Sequence, residues 1–395
     1  MIPYGRQSVS FIDVWQVAKQ LKSRNLTQGP KSKEFESAIT KYTGSRYAVA
    51  VSSATAGLHL AVQALNLEKR SIVATSPISF VASSNAILYN ELIPDFIDID
   101  ENDVNISLKK LTEKLEQGMK IKAVVAVHFS GYSCKMEELS SLSRLYNFKI
   151  IEDAAHALGG NYHDGTKIGN SKYSDMTIFS LHPVKSITSG EGGVVTTNNE
   201  ELYLKLLRLR SHGINKAEDE FQNKLLSVTE SENNPWYYEM VELGFNYRLT
   251  DFQSSLAISQ LKKLDKFINK RRVNAKYYLK LFSGIENIKI MTSVEKIEMS
   301  ALHLFFIELD FTKLKISKNE FMRILRDQGI GSQVHYIPIN LQPYYKKLGF
   351  VEDDTPTAMN YYMRTLSIPL YPNLRKSQMR KVVKAIKETI QKNKS

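Results

Sequence analysis

Cysteine is nearly missing from this chain of 395 residues: Cys134 stands alone, so no internal disulfide can form and no zinc site built from several thiolates is available. Long apolar runs are missing as well. Nothing approaches the roughly 20 consecutive apolar residues that cross a bilayer, and the opening stretch does not join basic residues to a continuous apolar segment. Together these point to a cytoplasmic protein with no membrane association and no bound metal. The glycine patterns of phosphate-loop and dinucleotide-binding folds are absent, and so are internal repeats and low-complexity tracts, which excludes repeat architectures.

What is present is enough apolar surface for substantial cores, at 43% of residues, and a formal charge of +12. The charge is unevenly spread. Eight Lys or Arg against one Glu between Arg375 and Ser395 put +7 on that short tail. Met379, Val382, Val383, Ile386 and Ile390 recur there at helical spacing, which predicts a terminal amphipathic helix docked by one stripe with a solvated basic face. Nothing resembles a DNA or RNA recognition motif, so no nucleic-acid partner is expected. Salt-sensitive retention on DNA through the tail is the alternative.

From Tyr47 onward, short β-branched runs alternate with helical patterns. Strands are expected at Tyr47–Val51, Ile72–Thr75, Ile93–Ile97, Lys122–His128, Lys149–Glu152, Met176–Ser180 and Val194–Thr197. This is the rhythm of an α/β fold with a mainly parallel central sheet sandwiched by helices. A leader containing a helix precedes it. Near Asp251 the pattern becomes one long charged helical segment, Phe252 to about Leu281. Beyond it, strands near Leu302–Leu309 and Gly331–Tyr336 with helices between suggest a smaller C-terminal α/β domain. The division expected is 1–255 for leader and large domain, and 256–395 for connecting helix and small domain.

Ligands of open α/β sheets sit beyond the carboxyl ends of the strands, which makes five junctions informative. Ser52-Ser53-Ala54-Thr55-Ala56-Gly57 opens into a helix whose free N–H groups suit a phosphate, although a Ser or Thr cap begins many helices with no ligand at all. Thr75-Ser76-Pro77-Ile78-Ser79-Phe80 offers an aromatic ring that either lies against a flat ligand or fills core. Ile151-Glu152-Asp153-Ala154-Ala155-His156 ends an apolar strand in a carboxylate, which either caps the next helix or holds a proton on a pyridine nitrogen. Phe179-Ser180-Leu181-His182-Pro183-Val184-Lys185, with Gly190-Glu191-Gly192-Gly193 behind it, sets a lysine among small residues. Such an amine becomes a nucleophile once partly desolvated. Gly244-Phe245-Asn246-Tyr247-Arg248-Leu249-Thr250-Asp251 precedes a helix capped near Thr250 or Asp251.

Taken together, these segments resemble the DegT/DnrJ/EryC1/StrS sugar aminotransferase family over nearly the whole chain. The resemblance implies a fold-type-I enzyme dependent on pyridoxal 5'-phosphate (PLP). It implies that Lys185 forms the covalent link to the cofactor, Asp153 pairs with its ring nitrogen, His156 sits beside the ring and Phe80 covers one face. Thr55, Ala56 and Ser180 would hold the phosphate, joined by Asn246 from a second subunit of a homodimer. Lys185, Asp153 and His156 are thus the expected catalytic residues. Tyr4, Asn25, Leu26, Thr27, His335 and Tyr336 match the parts that contact the nucleotide sugar. Relatives that deoxygenate sugars have histidine in place of the lysine, so Lys185 argues for transamination. Ile2 to Gln7, Leu26 to Pro30, Pro235 to Tyr238 and Val334 to Pro338 are most similar to the branch serving pseudaminic acid biosynthesis. That branch transfers the amine of L-glutamate to a UDP-linked 4-keto-6-deoxy-N-acetylhexosamine. Arg248 is a candidate for the glutamate carboxylate. Amination at C3 or C4 of another nucleotide sugar, and a non-catalytic regulator on the same fold, remain open.

Overall fold

A computed structural model describes residues 1–216 and 221–394 of the protein. Seven strands form the main sheet: β1 (Tyr47–Val51), β2 (Ile72–Thr75), β3 (Ile93–Phe96), β4 (Ile121–Val127), β5 (Lys149–Asp153), β6 (Met176–Ser180) and β7 (Gly193–Thr197). Their order is β1-β7-β6-β5-β4-β2-β3. Only β7 runs against its neighbours. The carboxyl ends of β1, β2, β4, β5 and β6 therefore open on one edge, where the informative junctions lie. Strands covered on both faces read as continuous apolar runs, and β6 and β7 are buried at every position.

Helices cover both faces. On one side, Phe35, Ile39, Leu139, Leu264 and Ile268 pack with Val124, Ile150 and Phe179. On the other, Leu58, Val62, Ile87 and Leu206 pack with Val49, Val73 and Ile178. The C-terminal part is built on a three-stranded antiparallel sheet with Phe305–Leu309 between Ile288–Lys289 and Thr365–Ile368. Its core joins Tyr278, Phe305, Phe321, Leu366 and the stripe Met379, Val382, Val383, Ile386 and Ile390 of the terminal helix Lys376–Lys392. Arg380, Lys381, Lys384 and Lys387 are exposed on the opposite face.

Three details depart from the sequence reading. The long helical segment is two helices, Asp251–Leu261 and Leu264–Phe282, because their packing partners differ. The first lies on Phe11–Leu21 and Pro30–Thr43, the second on the terminal helix. Gly331–Tyr336 forms no strand: Gln333 makes a single bridge to Ser367, and beyond it the chain carries His335 and Tyr336 to the wall of a cavity. The leader divides between the two parts. Ile2 enters the C-terminal core, and its N–H donates to the Gly329 carbonyl at 2.7 Å, while Phe11–Leu21 packs on Asp251–Leu261.

Candidate active site

A cavity of about 660 Å³ opens at the carboxyl ends of the parallel strands, between the main sheet and the C-terminal part. Each side chain arrives there for a local reason. Helix Ala54–Ala64 begins directly after β1, and its cap Ser53 accepts the Ala56 N–H at 3.0 Å, leaving the first turn aimed into the cavity beside Thr55. Opposite it, β7 begins at Gly193, where an added Cβ would lie 2.7 Å from Ala54 N and Ser53 C. Only a residue without a side chain lets β7 and the helix start approach this closely.

Asp153 is the last residue of β5, only 6% exposed. Its Oδ1 accepts the Ala155 N–H at 3.1 Å and its Oδ2 accepts the Ser83 hydroxyl at 2.6 Å. Glu152 points away from it into a separate buried network with His128, Tyr162 and Thr177. Lys185 follows β6 in a turn closed by its N–H to the His182 carbonyl at 2.9 Å. Burial pulls its ammonium down from 10.5 to about 8, and the negative charge of Asp153 opposes that shift. A substantial share of the amine is therefore neutral near physiological pH.

Three imidazoles surround this amine. His156 Nε2 and the Tyr336 hydroxyl are hydrogen bonded at 3.0 Å, while His156 Nδ1 is buried without a partner. Burial, then the charges of Lys185 and His335, hold His156 well below the usual histidine range. His303 stacks on it at 4.2 Å between ring centroids, and burial followed by the charge of its histidine neighbour lowers it likewise. His335 hydrogen bonds Ser367 through Nδ1 at 2.9 Å and is pulled down to about 3, by burial first and Lys185 second. All three are neutral at pH 7, so they present donors and acceptors rather than positive charge. Phe80 stands 59% exposed at the wall, its ring 6.4 Å from that of Tyr336. An aromatic left so open at a cavity has a face free for a flat ligand.

Of the residues singled out from sequence, Tyr4, Thr55, Phe80, Asp153, His156, Ser180, Lys185, His335 and Tyr336 line this cavity. Ala56 lies in the first turn of the helix, buried, without lining it. Asn25, Leu26 and Thr27 are exposed on a turn held by Gln20 Nε2 to the Asn25 carbonyl at 2.7 Å and by the Asp251 N–H to the Leu26 carbonyl at 3.0 Å. Asn246 is exposed, its backbone bridged to Ser211, and Arg248 is bridged to Val51; neither lines the cavity. Sequence reasoning missed Ser83, which lies in a run of small residues with no distinguishing pattern, and His303, which comes from the C-terminal part. Among the described residues, no group of three or more His, Cys, Asp or Glu is arranged to hold a metal ion.

Residues 12–387 match the DegT/DnrJ/EryC1/StrS aminotransferase family. The chain belongs to that family. Over 375 residues it is 40% identical to the UDP-4-amino-4,6-dideoxy-N-acetyl-beta-L-altrosamine transaminase of Campylobacter jejuni, covering 95% of this chain and 93% of the relative. Helicobacter pylori PseC, an aminotransferase involved in the biosynthesis of pseudoaminic acid, superposes with a TM-score of 0.89 at 29% identity, covering 99% of both chains. A Streptococcus pneumoniae protein described as a sugar aminotransferase, in its PLP form, gives 0.86 at 26% identity and 99% coverage of both chains. The protein is a PLP-dependent sugar aminotransferase. The site suits that cofactor: a buried carboxylate, a depressed amine, an unpartnered imidazole nitrogen and a free helix N-terminus converge on one cavity.

Proposed function

We propose that this DegT-family aminotransferase moves the amino group of L-glutamate to C4 of a UDP-linked 4-keto-6-deoxy-N-acetylhexosamine, giving UDP-4-amino-4,6-dideoxy-N-acetyl-β-L-altrosamine for pseudaminic acid synthesis in the cytoplasm. The observation that carries it is the Lys185 amine, lowered by burial to about 8, beside the buried Asp153 carboxylate, in a cavity walled by Tyr4, His335 and Tyr336. The 40% identity to the altrosamine transaminase supports this substrate over other nucleotide sugars.

In this reading the Thr55 and Ser180 hydroxyls and the Thr55 N–H hold the PLP phosphate at the helix start that Ala56 belongs to, Asp153 faces the ring nitrogen, Phe80 lies on one face and His156 beside the ring. When bound, PLP supplies an aldehyde that exchanges amines and a protonated ring that draws electrons from the adjoining carbon. Lys185 is the group within reach to take a proton from the amine-bearing carbon of the donor and return one to C4 of the sugar. Asp153 keeps a proton on the ring nitrogen throughout. The neutral imidazoles of His156, His303 and His335 add no positive charge that would compete for Asp153. Asn246 and the Asn25–Thr27 turn, which stand outside the cavity of their own chain, act in the site of a partner subunit in a homodimer.

The test is direct. The protein, PLP and glutamate are incubated in turn with UDP-linked 4-keto and 3-keto sugars, and products are weighed by mass spectrometry. Amine formation on the 4-keto-6-deoxy-N-acetyl substrate, lost in Lys185→Ala, is the expected result. Preference for a different keto sugar would reassign the substrate, and no turnover with any donor would favour a regulator.

A further inference from the structure

Asp153 can work on a ring nitrogen only if its carboxyl plane is fixed and its remaining lone pairs are satisfied. Oδ1 takes a backbone N–H from Ala155. Oδ2 takes a side chain that nothing in the motif pattern announces. Ser83 lies in the first turn of helix Ala82–Tyr89, fully buried, and its hydroxyl reaches Oδ2 at 2.6 Å. Ser79, 4% exposed, meets the Ser83 hydroxyl at 2.6 Å.

Proton counting gives this chain a direction. A carboxylate only accepts, and a serine hydroxyl has one proton. Ser83 therefore donates to Asp153, and the short contact to Ser79 must be made by the Ser79 proton. Donation from Ser79 leaves Ser83 more strongly polarised toward the carboxylate, since hydrogen bonds in series reinforce one another. The helix that carries Ser83 is itself pinned: the neighbouring Ser84 hydroxyl meets the Tyr345 hydroxyl at 2.6 Å, and that tyrosine donates to Asn85 Oδ1 at 2.7 Å. The relay thus ties the carboxylate after β5 to the loop after β2, two strands away in the sheet.

We propose that Ser83, with Ser79 behind it, is a positioning residue for the reaction: the two hydroxyls orient the Asp153 carboxylate and fix its plane against the ring nitrogen of PLP. This rests on the reading that Asp153 faces that nitrogen. A donor to a carboxylate favours its charged form, so removing Ser83 weakens the ion pair with the protonated ring as well as freeing the carboxyl plane.

The experiment compares Ser83→Ala, Ser83→Thr, Ser83→Cys and Ser79→Ala with Asp153→Asn, each loaded with PLP and checked for an unchanged melting profile. The readouts are PLP affinity, the pH titration of the bound cofactor's absorption, and kcat and KM for glutamate. Ser83→Ala is expected to lose about 10-fold in kcat with little change in KM, to bind PLP several-fold less tightly, and to move the titration midpoint by about half a pH unit. Ser83→Thr restores all three, and Ser79→Ala shows a smaller change of the same sign. If Ser83→Ala does not fold, Ser83→Cys, which keeps the size but donates weakly, carries the comparison. Unchanged affinity, titration and kcat in Ser83→Ala, beside a crippled Asp153→Asn, overturns the relay and leaves Asp153 in its role. An Asp153→Asn protein that is also unaffected overturns both.

Discussion

At the scale of single residues the proposed reaction makes opposite demands on two buried ionisable groups. Lys185 must lose its proton to react, and Asp153 must keep its charge. Burial moves the first down to about 8, whereas the second is supplied with two hydrogen-bond donors. The loading of PLP onto cofactor-free protein should therefore accelerate with pH and level off above a midpoint near 8, as stopped-flow absorbance would show; a midpoint near 10.5 would mean that the amine is fully hydrated. The same shift sets a stability sign. A lysine whose folded value lies below its unfolded one destabilises the fold while it is charged in both states, below pH about 8, and ceases to do so above 10.5. Lys185→Met is accordingly expected to raise the melting temperature of the cofactor-free protein at pH 7 while abolishing turnover. Asp153→Asn keeps the shape but not the charge. We expect it to cut kcat by about 100-fold or more with KM within a few-fold, since an amide would not hold a proton on the ring nitrogen and an unprotonated ring draws electrons less well.

At the scale of elements, the strands were legible because burial on both faces demands continuous apolar runs, and four of those runs, β1, β2, β5 and β6, end in chemically distinctive residues. β1, β2 and β6 begin and end where their β-branched stretches do. Gly331–Tyr336 misled because its pattern of Val, His and Tyr suits a strand, yet only Gln333 finds a pairing partner, in Ser367. Its apolar and aromatic residues face a cavity, a destination that periodicity does not encode. Ser83 and His303 were illegible for the same reason: their significance is a distance to Asp153 and to His156 across the fold. The meeting of β7 with helix Ala54–Ala64 is the element contact that sets the helix start of the proposed phosphate site. Gly193→Ala pushes a methyl group to within 2.7 Å of the Ser53 and Ala54 backbone, which cannot move aside as a side-chain tip would. The expected outcome is a PLP affinity reduced about 10-fold or more together with a lower melting temperature, because overpacking of this kind costs roughly 1–3 kcal/mol. Dialysis and calorimetry read the two separately.

At the scale of the whole molecule, one chain carries a cavity with Lys185 and Asp153 and, elsewhere on its surface, an exposed Asn246 and an exposed Asn25–Thr27 turn. The turn is firmly built: Asp251 accepts the Gly29 N–H at 2.7 Å and the Lys31 N–H at 2.8 Å, and Thr250 caps the helix behind it. A rigid polar turn outside its own cavity is the arrangement expected of a donor to someone else's. Exposed apolar side chains lie nearby in sequence, among them Phe11, Ile12 and Trp15 on the first helix and Trp236, Met240 and Leu243 before Asn246. Two-fold pairing would cover such a surface and exchange the two segments reciprocally, because a residue given to the partner is returned by the partner. Subunit mixing exposes this reciprocity. A Lys185→Ala chain and an Asn246→Asp chain, each inactive or nearly so alone, are unfolded together and refolded in equal amounts. Half of the dimers formed at random are mixed, and in each of these one site has an intact Lys185 from one chain and an intact Asn246 from the other. Activity should recover to about a quarter of the wild-type value. If Asn246 served its own chain instead, every site in the mixture would contain one defect, and no recovery would be seen.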